Sequence, residues 1–143
     1  MVVIGYSLLV SASAVTRIQV RFGDYDPNGH VNNVAYLAFM ETARIAFLIE
    51  LKEVGGMAAT TIARAEVDYL RAVTTRAEFV DVKVSVEAVG RSSFTVLHEV
   101  SDNWGVAARG RAVLVAVDQR GTSRLLTEDE RRTLTPTASM SLE

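Results

Sequence analysis

Hydrophobic and polar residues alternate through the second half of the chain. Val80, Val82, Val84, Val86 and Ala88 interleave with Asp81, Lys83, Ser85 and Glu87, the signature of a strand with one buried and one wet face. Residues 62–72, 93–101 and 105–118 read as three more strands, with Gly90-Arg91 and Asp102-Asn103 marking turns between them. Thr16 to Phe22 alternates more loosely and predicts an earlier strand. Between the two regions the period changes. Asn32 to Lys52 predicts a helix roughly 30 Å long, with Asn32 or Asn33 as N-cap and Gly55-Gly56 as the stop. Its opening turns, Val34 to Met40, are apolar all round, which predicts burial on most sides. Ala43, Ala46, Ala63 and Ala65 offer small surfaces for close approach of helix and sheet. Thr127 and Glu130 form a capping box that opens a short closing helix over 127–134. A strand, a long helix and four strands in succession make an α+β protein with the helix laid across an antiparallel sheet.

Composition narrows the class. The chain has 143 residues, with 15 Lys plus Arg against 17 Asp plus Glu and a net charge of −2. One domain over 1–143 is the simplest reading. No basic cluster supplies a nucleic-acid footprint, and no run of eighteen apolar residues predicts a membrane span. With no Cys there is no disulfide, thiolate metal site or Cys nucleophile. Met1 to Val10 is apolar and Ser11-Ala12-Ser13-Ala14 follows, yet the first basic residue is Arg17. Residues 1–15 therefore read as a strand or leader rather than a signal peptide, and a cytoplasmic location is the expectation. The chain is short for an enzyme that must hold a large substrate.

Candidate chemistry concentrates in Asp24-Tyr25-Asp26-Pro27-Asn28-Gly29-His30-Val31-Asn32-Asn33, just before the long helix. A helix N-terminus offers unpaired N–H groups and a positive dipole end, suited to an oxyanion. A carboxylate and an imidazole beside it supply a base or nucleophile and an orienting group. The plainer alternative is an Asx-rich turn in which Asp24 and Asn28 satisfy backbone donors. Asp24-x-Asp26-x-Asn28-Gly29 also matches the start of an EF-hand loop, but its twelfth position is Ala35, so calcium is rejected and no metal is expected. His98 reads as a packed or solvated strand residue. Glu41, beside the apolar run, either lines a pocket or pairs with an Arg. Arg91-Ser92-Ser93 suits phosphate or amide contacts, with a plain hairpin end as the alternative.

The run from Val20 to Leu37 resembles the signature of the hotdog-fold thioesterases, in particular the 4-hydroxybenzoyl-CoA and long-chain acyl-CoA branch. Phe39-Met40-Glu41-Thr42-Ala43-Arg44, Val67-Asp68-Tyr69-Leu70-Arg71 and Gly90-Arg91-Ser92-Ser93-Phe94 follow in the family's order. The resemblance implies a long central helix wrapped by a five- to six-stranded antiparallel sheet. It implies a homodimer or homotetramer with shared sites, a small-molecule acyl-CoA substrate and no cofactor beyond the CoA of that substrate. The family's essential Asp falls on Asp26, and the Asn-x-His pair of plant carrier-protein thioesterases on Asn28 and His30. Those plant enzymes carry an acid and a Cys where this chain has Ala72 and Val73, which favours a CoA thioester. Asn33, Tyr36, Glu41, Arg91, Ser92 and Ser93 are the expected substrate contacts, with Tyr36, Phe39, Met40 and Phe47 as an apolar acyl lining. Three alternatives stand beside hydrolysis of acyl-CoA: a non-catalytic acyl-CoA sensor, a thioesterase for carrier-protein-bound chains, and a hydroxyacyl dehydratase, for which no His and acid on separate strands are placed.

Overall fold

The period-two and helical patterns resolve into one sheet with a helix across it. The computed structural model describes residues 3–6, 13–55 and 59–135. The strands are β1 (Val3–Tyr6), β2 (Ser13–Gln19), β3 (Thr60–Tyr69), β4 (Phe79–Val89), β5 (Ser93–Asp102) and β6 (Gly105–Ala116). They form a six-stranded antiparallel sheet in the order β1-β2-β4-β5-β6-β3. The helices are α1 (Asn33–Gly55) and α2 (Glu128–Leu134). This is the hotdog arrangement, and the first core strand ends earlier than its pattern predicts: Phe22–Asp24 is a 3-10 turn.

α1 lies on the face of the sheet that carries Ile18, Val80, Val82, Val84, Phe94, Val96 and Val100, all buried. Its own buried residues, Tyr36, Phe39, Met40, Ala43, Phe47 and Leu51, recur every three or four positions, as one helical stripe must. Burying each of the larger ones contributes about 1.5–3 kcal/mol. The helix is nevertheless not buried on most sides. Val34, Leu37, Ile45 and Ile49 form a second apolar stripe, each at least 44% exposed, because the single sheet covers only one side. Phe39, Met40 and Phe47 belong to the core between helix and sheet, not to an acyl lining.

The small residues of the sheet also differ from expectation. Ala63 and Ala65 lie on the exposed edge strand β3, whereas Gly110 on β6 faces Met40. A Cβ at Gly110 would stand 2.5 Å from the Met40 sulfur and 3.2 Å from the Glu66 carbonyl oxygen. The β4 alternation stops at a register shift between Val86 and Ala88, and Ala88 is exposed.

Residues 124–134 strap the β4–β5 turn. Thr127 and Glu130 cap α2 reciprocally, and the buried Glu130 carboxylate accepts two hydrogen bonds from Arg124, at 2.9 and 2.6 Å. Leu126 and Leu134 enter the core, and Arg131 donates to the Gly90 carbonyl.

Candidate active site

The turn before α1 is built by its own carboxylates. Asp24 is buried and accepts from the Arg21 amide at 2.7 Å and the Arg21 guanidinium at 3.1 Å. Asp26 does something different. Its Oδ1 accepts the backbone N–H groups of Asn28 at 2.8 Å and His30 at 3.1 Å. Gly29, at φ +73°, takes the left-handed conformation that closes this turn, and its amide donates to the Asp26 carbonyl at 3.0 Å. The loop is closed on itself by the bridge Tyr25↔Val31 and tied to the segment between β3 and β4 by the bridge His30↔Thr74 and by the Tyr25 hydroxyl on the Ala77 carbonyl at 2.8 Å.

The loop delivers Asp26 to the start of α1. Asn32 is the N-cap: its side-chain oxygen accepts the Val34 amide at 3.1 Å. The Asn33 amide belongs to the first turn, whose donors no intrahelical carbonyl reaches. Tyr69, at the end of β3, donates to the Asn33 carbonyl at 2.9 Å and meets Tyr36 edge-on at 5.3 Å. Burial, above all, pushes the Tyr36 phenol above its ordinary value, so it stays protonated.

Asp26, His30, Val31, Asn33 and Tyr36 line a cleft of about 300 Å³ together with Tyr69, Leu70, Arg71 and Ala72. Four of the expected site residues thus meet: Asp26, His30, Asn33 and Tyr36. Asn28 reaches Asp26 through its backbone amide and does not line the cleft. Glu41 is exposed on α1, between the apolar residues of its outer stripe, and is not in the cleft wall. Arg91, Ser92 and Ser93 sit at the opposite end of the sheet. β4 is 11 residues long, so a strand's length of roughly 30 Å separates them from the Asp26 loop.

Sequence reasoning missed Tyr69, Leu70 and Arg71 as cleft residues. The signal lay in Val67-Asp68-Tyr69-Leu70-Arg71, where the strand stops and consecutive side chains turn toward the α1 N-terminus. Arg71 is held rigidly: it donates to the Asp102 carboxylate through both terminal nitrogens, one at 2.9 Å, and to the Gly105 carbonyl at 2.5 Å. The Asp102 side chain is 1% exposed. Burial alone would push its carboxyl up; hydrogen bonds from Arg71 and the Trp104 amide, with the Arg71 charge, outweigh that and hold it below the usual carboxylate range. Among the described residues no cluster of three or more His, Asp or Glu is placed to hold a metal ion.

Residues 20–139 match the thioesterase-like superfamily. The chain belongs to that superfamily. A thioesterase from Thermus thermophilus, solved with coenzyme A and Zn, is 38% identical, with a TM-score of 0.73 over 84% of this chain and 90% of that one. The uncharacterized protein YsmA of Bacillus subtilis (strain 168) is 33% identical over 129 residues, 87% of this chain and 86% of that protein. A 4-hydroxybenzoyl CoA thioesterase mutant complexed with 4-hydroxybenzoyl CoA shares the fold, with a TM-score of 0.74 at 17% identity, over 87% of this chain and all of that one. For a thioesterase-like protein the general chemistry is thioester hydrolysis. The cleft carries a group set able to do it: an oriented carboxylate, an imidazole and the N-terminus of a helix.

Proposed function

We propose that this protein hydrolyses acyl-CoA thioesters, with Asp26 as the reacting carboxylate. One observation carries the reading. Two backbone amides hold Oδ1 of Asp26 in the wall of a cleft that the first turn of α1 also lines. The carboxylate's other oxygen is left for chemistry. The thioester carbonyl carbon sits before Asp26 and its oxygen points at the Asn33 end of α1, where developing negative charge meets N–H donors; loss of one such donor typically costs about 3–4 kcal/mol of barrier. By one route Asp26 removes a proton from water, the hydroxide adds to the carbonyl carbon, and the C–S bond breaks to release the thiolate, which takes up the proton. By the other, Asp26 itself adds, expels the thiolate as a mixed anhydride forms, and water then cleaves the anhydride. His30 borders the cleft and positions water or the carbonyl; Tyr69 and Tyr36 wall the acyl side.

The same reading includes a second copy of the chain. β3 is an edge strand with nearly every residue exposed, and the outer stripe of α1 is apolar. An apolar stripe beside an open strand edge marks an interaction face. Antiparallel pairing of β3 with its own copy sets the Thr60 end of one strand against the Tyr69 end of the other. Thr61, Val115 and Ser93 form one row across β3, β6 and β5. At strand spacings near 4.8 Å, Ser93 of the second copy then comes within about 15 Å of Tyr69. Arg91, Ser92 and Ser93 so lie across the boundary within the span of a CoA that leaves the cleft, as a cation and hydroxyls for it, and Glu41 and the α1 stripe become interface.

Thiol release across short, medium, long and aromatic acyl-CoAs tests the activity. Binding without release identifies a sensor, and release only from carrier-protein thioesters moves the substrate class. A single turnover in ¹⁸O-water reads the route in one direction: label in the Asp26 carboxylate marks attack by Asp26, whereas label in the product acid alone is left both by the water route and by water adding to the acyl carbon of the anhydride.

A further inference from the structure

A second hollow of about 190 Å³ adjoins the cleft and shares Arg71 and Ala72 with it; Thr74, Arg76, Asp102 and Trp104 complete its wall. Its charges are unequally used. The Arg71 cation is neutralised by Asp102, while Arg76 makes no ion pair among the described residues and lies with its guanidinium carbon 5.1 Å from the centre of the Trp104 ring. Trp104 stands 54% exposed at the tip of the β5–β6 hairpin. The tip is not loose, because the Trp104 amide donates to the buried Asp102 carboxylate at 2.9 Å, the same group that grips Arg71. The exposed indole, with the Arg76 guanidinium against it and no carboxylate paired to that cation among the described residues, is a surface a ligand can use. Its chemistry is specific: a flat π-face for a heteroaromatic ring and a planar fork for phosphate oxygens.

We propose that Arg76 and Trp104 form the rest for the nucleotide end of the thioester substrate, on the same subunit as Asp26. The indole stacks on the adenine and Arg76 pairs with a phosphate, so the pair selects CoA over thiols that lack a nucleotide. This rests on the acyl-CoA reading above and deepens it. The hollow is contiguous with the reaction cleft through Arg71 and Ala72, so a chain leaving the thioester sulfur along that wall arrives at Trp104. Thr74, cross-strand neighbour of His30, ties the hollow to the catalytic loop.

Two measurements test the proposal, the first without catalysis. Trp104 is the sole tryptophan of the chain, so its fluorescence reports this hollow alone. Titration with adenosine 3′,5′-bisphosphate should quench it saturably, and Arg76→Gln should weaken that binding about tenfold. In steady-state kinetics, Trp104→Ala and Arg76→Gln should each raise KM for an acyl-CoA about tenfold with kcat nearly constant. The same acyl group on pantetheine, which lacks the nucleotide, should show less than a twofold change in kcat/KM. Absence of quenching at millimolar nucleotide, or equal losses on both thioesters, would overturn the proposal. So would a KM rise confined to carrier-protein thioesters. Quenching by nucleotide in a protein that hydrolyses no thioester would uphold the rest and defeat only the hydrolase reading.

Discussion

Replacing Asp102 by Ala removes the acceptor that fixes both Arg71 in the cleft wall and the hairpin carrying Trp104. The carboxylate is 1% exposed and receives three N–H groups, two from Arg71 and one from the Trp104 amide. Breaking a fully buried pair costs about 3–5 kcal/mol through the charge left uncompensated. Arg71 is 33% exposed, so water recovers part of that, and a net loss of about 2–3 kcal/mol is expected. For a chain of this size the melting temperature falls by roughly 3–4 °C per kcal/mol, hence by about 6–12 °C. Thermal unfolding followed by circular dichroism at pH 7 and fixed protein concentration measures it. Arg71→Ala in the Asp102→Ala background should cost little more, giving a coupling of about 1 kcal/mol or above. Because the folded Asp102 carboxyl titrates below its unfolded value near 3.9, the pair stabilises above that pH and its contribution fades as pH falls below it. A loss under about 0.5 kcal/mol, or a strictly additive double variant, refutes the reasoning.

Other outcomes follow from the same geometry. His98 is 3% exposed; burial first, then the neighbouring Arg44 charge, push its imidazole down to about 4, so the unfolded chain takes up a proton that the folded one refuses between pH 6.5 and 4. Stability should fall by about 2–4 kcal/mol across that interval, and His98→Gln should flatten the slope in urea titrations at each pH. Gly110→Ala should destabilise by about 1–3 kcal/mol through overpacking on Met40, and by less in a Met40→Ala background, as read by denaturant midpoints. Unfolded and co-refolded in equal amounts, Asp26→Ala and Arg91→Ala should regain about a quarter of wild-type activity, because half of the dimers hold one intact site; no regain would place Arg91 outside a shared site.

Much of this arrangement is legible in the residue pattern alone. The period-two runs mark the inner faces of β4 and β5, and Thr127 with Glu130 marks the start of α2, because local hydrogen bonding and a single buried face leave short-range traces. The Asp26 turn is legible for the same reason, since its carboxylate, Gly29 and the Asn32 cap are all local. What the sequence hides is long-range. The all-apolar opening of α1 has two destinations, one stripe on the sheet and one open, and composition cannot separate them. Ala63 and Ala65 look like contact residues but sit on an uncovered edge, while Gly110, an ordinary residue in a strand, is where the Met40 side chain leaves no room for a Cβ. Arg91-Ser92-Ser93 and Asp26 are each recognisable motifs, yet only the strand order reveals that one chain keeps them at opposite ends.

The most direct test of the account is thiol release by Asp26→Ala on the best acyl-CoA substrate, beside wild type and with folding verified by circular dichroism. The cleft geometry predicts that kcat falls by about 10²–10⁴, the span of a lost acid–base or nucleophilic group, far more than the modest stability loss from the two turn amides that Asp26 accepts can explain in a protein that stays folded. A folded Asp26→Ala protein that releases thiol at the wild-type rate would contradict it.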